Sequence, residues 1–238
     1  MKKILAFCMV LAAFSSCQED VQFSNPGFQG YKDDKLWRAS TMTASIATNG
    51  NLTIEGRKGY ETTTLTVNSA KVGTYYLGTK NTNIVASFVS TFADAPMNYA
   101  TIPSVGPVSN VSITAGGLSY ISGGEYPTIG GSGSGLTVKV EASSTGKVTG
   151  VSFVSRGNGY LPGDVITVDG GDGKCKLTVM NSQVSNGEIE ITEFDSAKMT
   201  VSGKFKFNAV KTQETSTGNT ILNFQNGEFY KVRVYPSM

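Results

Sequence analysis

Histidine does not occur anywhere in this chain of 238 residues. Its absence excludes Ser-His-Asp and Cys-His nucleophile systems, which need an imidazole to move the proton. It also excludes imidazole general-base chemistry and histidine-ligated zinc. Cysteine is scarce: Cys8, Cys17 and Cys175 are the three present. Charge is scarce too, at 16% of residues, and no basic run interleaved with aromatics occurs. The sequence therefore carries no nucleic-acid footprint. Long apolar runs are missing as well. The clearest one, Ile4 to Phe14, is well short of the roughly 20 residues that a membrane-spanning helix needs. No window has a convincing helical period.

What is present begins at the N-terminus. Lys2 and Lys3 precede the apolar run Ile4 to Phe14, and the small residues Ser15 and Ser16 lead into Cys17. That is the three-part layout of a secretory signal, with residues 1–16 as a signal helix. The junction Phe14 to Cys17 resembles the lipobox of bacterial lipoproteins. The resemblance implies cleavage before Cys17 and lipidation of its thiol, so that diacylglycerol and an acyl chain tether the protein to membrane lipid. A thiolate is the nucleophile that can accept a thioether-linked lipid. Lys2 and Lys3 account for the whole-chain net charge of +2, so residues 17–238 are neutral overall. Cys8 leaves with the signal and Cys17 carries lipid, so Cys175 has no partner for an intrachain disulfide. A secreted domain of this size must then be held by its apolar core.

The rest reads as strands and turns. From Met199 to Ala209 the odd positions are Met, Val, Gly, Phe, Phe and Ala, while the even ones are polar. Strict alternation of that kind is a half-buried strand. Gly187 to Thr192 alternates too, and Asp195 to Lys198 makes the reversal between the two. Leu222 and Phe224 precede Asn226 and Gly227, a hairpin-turn dipeptide, and Tyr230, Val232 and Val234 follow on one side. In the first half, Trp37–Ala47, Asn51–Ile54, Thr63–Val67, Gly73–Leu77 and Ile84–Phe88 read as short strands. Spacing of this kind predicts an all-β fold, an antiparallel β-sandwich or open barrel.

From about Pro103 to Val179 glycine becomes dense and the sequence repeats with an offset of 40. Val111 matches Val151, Gly117 and Tyr120 match Gly157 and Tyr160, and Gly130 and Gly131 match Gly170 and Gly171. A constant offset over many positions marks an internal duplication. The organisation expected is a signal peptide at 1–16, a lipid-anchored linker at 17–27 and a discontinuous sandwich or barrel at 28–104 and 181–238. A small two-copy glycine-rich β-repeat module is inserted at 105–180.

The outer portions resemble a family of Bacteroidota outer-membrane lipoproteins built on domain of unknown function 6252. The resemblance rests on Phe28 to Gly30, Leu36 to Ala39, Gly73 to Gly78, Gly187 to Thr192, Val201 to Phe205 and Asn226 to Phe229. It implies an outer-membrane lipoprotein and no assigned reaction. Gln18, Glu19 and Asp20 resemble the acidic signal that sends such lipoproteins to the cell exterior. The middle resembles a "GxGY, GD, GGxG" repeat of phage tail fibres and bacterial surface proteins, which implies a structural or receptor-facing module. Ser119 and Gly124 stand in the first copy where Gly159 and Asp164 stand in the second.

Three groups of residues are candidates for chemistry. Asp164, Asp169 and Asp172 sit among glycine turns and could ligate calcium through oxygen, or serve as ordinary turn residues. Tyr120 and Tyr160 could stack on sugar rings, or anchor the packing of each repeat. Glu188, Glu190 and Glu193 could supply paired carboxylates for glycoside hydrolysis, although Glu188 and Glu190 read as a solvated strand face. The functional expectation is a non-enzymatic, lipid-anchored surface protein with a structural, glycan-binding or protein-binding role and no required cofactor. The alternative is a carboxylate-dependent hydrolase acting on a surface polysaccharide.

Overall fold

The computed structural model describes residues 25–236, and every regular element among them is a β-strand. Cys17 and the signal segment lie outside the described residues. No helix among the described residues is long and apolar enough to cross a membrane.

The first half of the outer domain comprises β1 (Gly27–Lys32), β2 (Lys35–Arg38), β3 (Thr41–Ile46), β4 (Leu52–Lys58), β5 (Glu61–Val67), β6 (Gly73–Leu77), β7 (Val85–Ser90) and β8 (Met97–Ala100). The inserted segment supplies β9 (Val108–Gly116), β10 (Glu125–Ile129), β11 (Ser134–Ala142), β12 (Val148–Asn158), β13 (Val165–Val168) and β14 (Cys175–Ser182). The chain returns as β15 (Asn186–Asp195), β16 (Thr200–Lys211) and β17 (Ile221–Pro236).

The outer strands form one sheet in the order β2-β1-β17-β3-β4-β5-β7-β8-β16-β15-β6. Because β16 also pairs with β17, the strands from β17 through β3 to β8 and β16 close into a ring. The all-β architecture thus agrees with the alternation in the sequence. β5 illustrates the cause: Thr63, Leu65 and Val67 alternate inward and are buried. Val201, Phe205, Phe207 and Ala209 do the same on β16. The core they build is aromatic at its centre. Phe207 and Phe224 lie 5.1 Å apart, Phe28 and Phe205 also 5.1 Å, and Trp37 meets Phe224 edge-on at 5.8 Å. Burying each such ring contributes about 1.5–3 kcal/mol.

Three local expectations are corrected. Trp37–Ala47 is two strands. Trp37 on β2 turns inward while Ala39 N–H donates to Phe28 O and Ser40 N–H to Arg57 O, so the chain changes partner from β1 to β4. Asn226 and Gly227 form no turn; they sit inside the continuous β17. Asn226 takes a left-handed φ of 47°, and register shifts against both β1 and β16 mark a bulge with one extra residue. A side chain at Gly227 would meet the Phe205 ring at 2.6 Å, so ring packing, not chain reversal, requires glycine there. The sheet is also not wholly antiparallel, because β17 runs parallel to β3 over Val234–Pro236.

The inserted strands make a second sheet, β12-β11-β10-β13-β14-β9, around a separate core. Its first three strands and its last three are equivalent at the sequence offset of 40. The first strand of each copy pairs with the third strand of the other: β9 with β14, and β12 with β11. At the centre β10 meets β13, with Thr128 opposite its own equivalent Val168. The copies are interlocked around a pseudo-two-fold, and neither can close its core alone. The two edge strands β9 and β12 are bridged by Arg156, whose Nη1 donates to Val108 O at 2.8 Å and Ser109 O at 2.9 Å. Cys175 is a free thiol buried in this core, and its burial, with Asp172 nearby, pushes the thiol pKa up.

Candidate functional site

Duplication explains the glycine-rich turns. Gly117 and Gly157 both take φ of 55°, and Ser119 holds a φ of 64° where its equivalent Gly159 holds 82°. The turns fold so that Tyr120 and Tyr160 enter the core, where they are 3% and 1% exposed. Tyr120 N–H donates to Gly146 O, and Tyr160 exchanges both backbone bonds with Gly106, the counterpart of Gly146. Tyr120 Oη donates to Val168 O at 3.0 Å. Both rings are buried in the insert's core and present no open face to solvent.

The aspartates behave as turn locks. Asp164 Oδ2 accepts from Ser132 Oγ, Leu161 N–H at 2.9 Å and Ser132 N–H at 3.0 Å. Burial alone would raise the Asp164 carboxyl pKa, but these bonds and the charge of Lys80 outweigh it and hold the value low. Asp172 Oδ1 accepts from Leu118 N–H at 3.0 Å and Lys174 N–H at 3.1 Å, which lowers its carboxyl pKa too. The structure does not gather Asp164, Asp169 and Asp172 into a calcium site. Among the described residues, no group of three or more acidic or cysteine side chains is placed to hold a metal ion. The reason is that two of the three carboxylates are spent on separate turns.

Glu188 and Glu190 are successive outward residues of β15, opposite Lys206 and Lys204 on β16. Glu188 pairs with Lys206 at 3.0 Å. Both carboxylates line one wall of a hollow of about 170 Å³, on the same strand rather than across a cleft. Glu193 lies beyond a register shift in the same strand, away from that hollow.

The site that sequence reasoning missed lies where the inserted sheet meets the outer one. Pro107 O accepts from Gln183 N–H at 2.8 Å, so the two ends of the insert leave side by side. Asn181 of β14 reaches back and donates its Nδ2 to Leu77 O of β6 at 2.8 Å. Two recesses flank this contact. One, about 460 Å³, lies between Thr74, Tyr76 and Lys80 on one side and Thr178 and Met180 on the other. The second, about 190 Å³, is lined by Ser109, Asn110, Asn181, Asn186 and Glu188. Tyr76 belongs to both and is 40% exposed.

The junction is also where hydrogen bonding is incomplete. Among the described residues, the buried side-chain atoms without a partner are Thr63 Oγ1, Asn181 Oδ1, Ser182 Oγ and Ser185 Oγ. Three of them lie within the short stretch Asn181 to Ser185, at the end of β14 and in the link to β15. Leaving such a group unpaired costs about 1–3 kcal/mol. Beyond it an amide ladder crosses three strands. Asn186 Nδ2 donates to Ser182 O and Gln183 O, and Asn223 Nδ2 donates to Asn208 Oδ1 at 2.6 Å. The available signal for Tyr76 was alternation: Leu77 faces in, so the tyrosine before it faces out.

The chain matches the family described as Domain of unknown function (DUF6252) over residues 24–150 and again over 128–233. The two matches overlap over residues 128–150, inside the inserted sheet. No curated protein and no solved structure matches it. A barrel of this topology, matched over nearly all of its described length, belongs to the DUF6252 family.

Proposed function

We propose that the protein is a lipid-anchored outer-membrane protein facing the cell exterior, with a non-enzymatic, ligand-binding role. The anchor reading is carried by one observation: a charged, apolar and small-residue leader ends at Cys17, ahead of the first strand among the described residues, which begins at Gly27. The non-enzymatic reading draws support from the side chains themselves. The chain has no histidine. Asp164 and Asp172 are committed to backbone donors. Glu188 and Glu190 belong to a charge ladder with Lys206 and Lys204 on an open sheet face. The likeness of the insert to phage and surface-protein repeats fits a module carried outward, and the recesses at its base are where a ligand fits.

The test of the anchor is fractionation. Cys17→Ala should abolish retention in the outer membrane, because acyl burial at Cys17 supplies about 0.8 kcal/mol per methylene. Retention of Cys17→Ala in the outer membrane would overturn the reading.

A further inference from the structure

Resting on that binding reading, we propose that the junction between barrel and insert is a carbohydrate site for a neutral oligosaccharide, with Tyr76 as its stacking platform. The first argument is chemical. A neutral sugar offers hydroxyls that both donate and accept, and an apolar C–H face that packs on an aromatic ring. The recesses supply both kinds of partner. Ser109, Asn110, Asn181 and Asn186 bring hydroxyl and amide groups from both parts of the molecule to one hollow. Tyr76 sits between that hollow and the larger one, with its ring partly open to solvent.

The second argument is the polar deficit. Asn181 is 2% exposed, lines the smaller recess, and uses its Nδ2 on Leu77 O. Its Oδ1 has no donor. A hydroxyl, directly or through one ordered water, is the group that satisfies a buried amide oxygen without bringing charge. The third argument is charge. Glu188 in the recess is already paired with Lys206. Lys80, in the larger recess, faces the opposite charge of Asp164. The smaller hollow, whose charged residues Glu188 and Lys206 pair with each other, has no unopposed charge demanding an anionic or cationic ligand.

Sugar recognition at this place also gives the insertion a purpose. Tyr76 comes from β6, Ser109 and Asn110 from β9, and Asn186 from β15. The site exists only because the insert is seated on the barrel. The competing occupant is an extended peptide, since β6 ends the large sheet and its outer edge has no strand partner among the described residues.

The experiment uses the full chain, purified in detergent, on an array of neutral oligosaccharides, uronate-containing oligosaccharides and unmodified peptides. Tyr76→Ala and Ser109→Trp are run beside Tyr60→Ala, which removes an exposed tyrosine 65% accessible and remote from the junction recesses. Thermal midpoints check that each variant is folded. The expected result is binding to neutral oligosaccharides that falls by about tenfold or more in Tyr76→Ala and Ser109→Trp and is unchanged in Tyr60→Ala. Undiminished sugar binding in both junction variants would overturn the site and leave the binding reading intact. Binding to peptides or only to uronates would overturn the ligand class. No binding to any probe by the parent chain would overturn both.

Discussion

Tyr160 is 1% exposed, and its ring lies so close to Gly133 and Gly157 that a Cβ on either would sit 2.6–2.8 Å from it. The glycines of the repeat are thus spaces cut for a ring as much as turn formers. Removing the ring leaves a void that these glycine backbones cannot fill by rotamer change. Tyr160→Ala should therefore cost about 3–5 kcal/mol, as other large aromatic truncations do, measured by urea unfolding of the inserted module's transition. A loss below about 1 kcal/mol would show that the ring is not a core anchor. Asp164 makes a second prediction. Its folded-state carboxyl pKa lies below the unfolded value of about 3.9, so it stabilises the fold above that value. The contribution fades as pH falls through the folded pKa. Asp164→Asn should lower the unfolding midpoint at neutral pH, and the gap from the parent should close below about pH 4. A gap that stays constant down to about pH 2 would mean that hydrogen-bond geometry, and not ionisation, carries the effect.

At the scale of elements, the sequence is legible where one face of a strand is buried and the other wet. β16 was readable from its odd-even pattern because Lys204 and Lys206 are exposed on either side of buried Phe205. Its hairpin to β15 was readable because Asp195 accepts from Ala197 N–H and Lys198 N–H, the usual work of a turn aspartate. The offset of 40 persists in glycines that hold left-handed backbones, such as Gly117 and Gly157. Illegible were the features fixed by distant partners. Asn226 and Gly227 carry a turn signature, yet β1 and β16 hold the chain straight on both sides and turn the signature into a bulge. Asp33 and Asp34, with φ of 47° and 62°, make the tight β1–β2 turn that an Asn-Gly pair would have advertised. The junction site was illegible for the same reason. Tyr76, Asn110 and Asn181 are far apart in sequence, and only the seating of one sheet on another brings them to common hollows. Tyr120 and Tyr160 stood out by repetition, and repetition marks what a duplicated core needs.

On the scale of the whole molecule, two cores meet at a narrow neck. The barrel cluster runs from Phe28 to Val234 and skips the segment between Tyr99 and Ile189 entirely. The insert's own cluster runs from Val108 to Val179. At the neck, Val108 pairs with Ser182 and Pro107 O accepts from Gln183 N–H, so the insert leaves and re-enters the barrel within one strand spacing. Closely spaced ends are what allow one domain to sit inside another without disturbing its fold. Excising residues 108–182 and joining Pro107 to Gln183 through a short glycine turn should leave a barrel that unfolds in one cooperative transition. The barrel's aromatic centre, including Phe207 packed 5.1 Å from Phe224, contains no residue of the insert. What the excised chain loses is the neck: the Asn181 bond to Leu77 O and the walls contributed by Ser109, Asn110 and Thr178. It should therefore remain folded, as followed by circular dichroism and urea titration, while losing any oligosaccharide binding of the parent. A broad, non-cooperative transition would mean that the two cores fold as one unit. Folding with full binding would move the ligand site off the junction and onto the barrel.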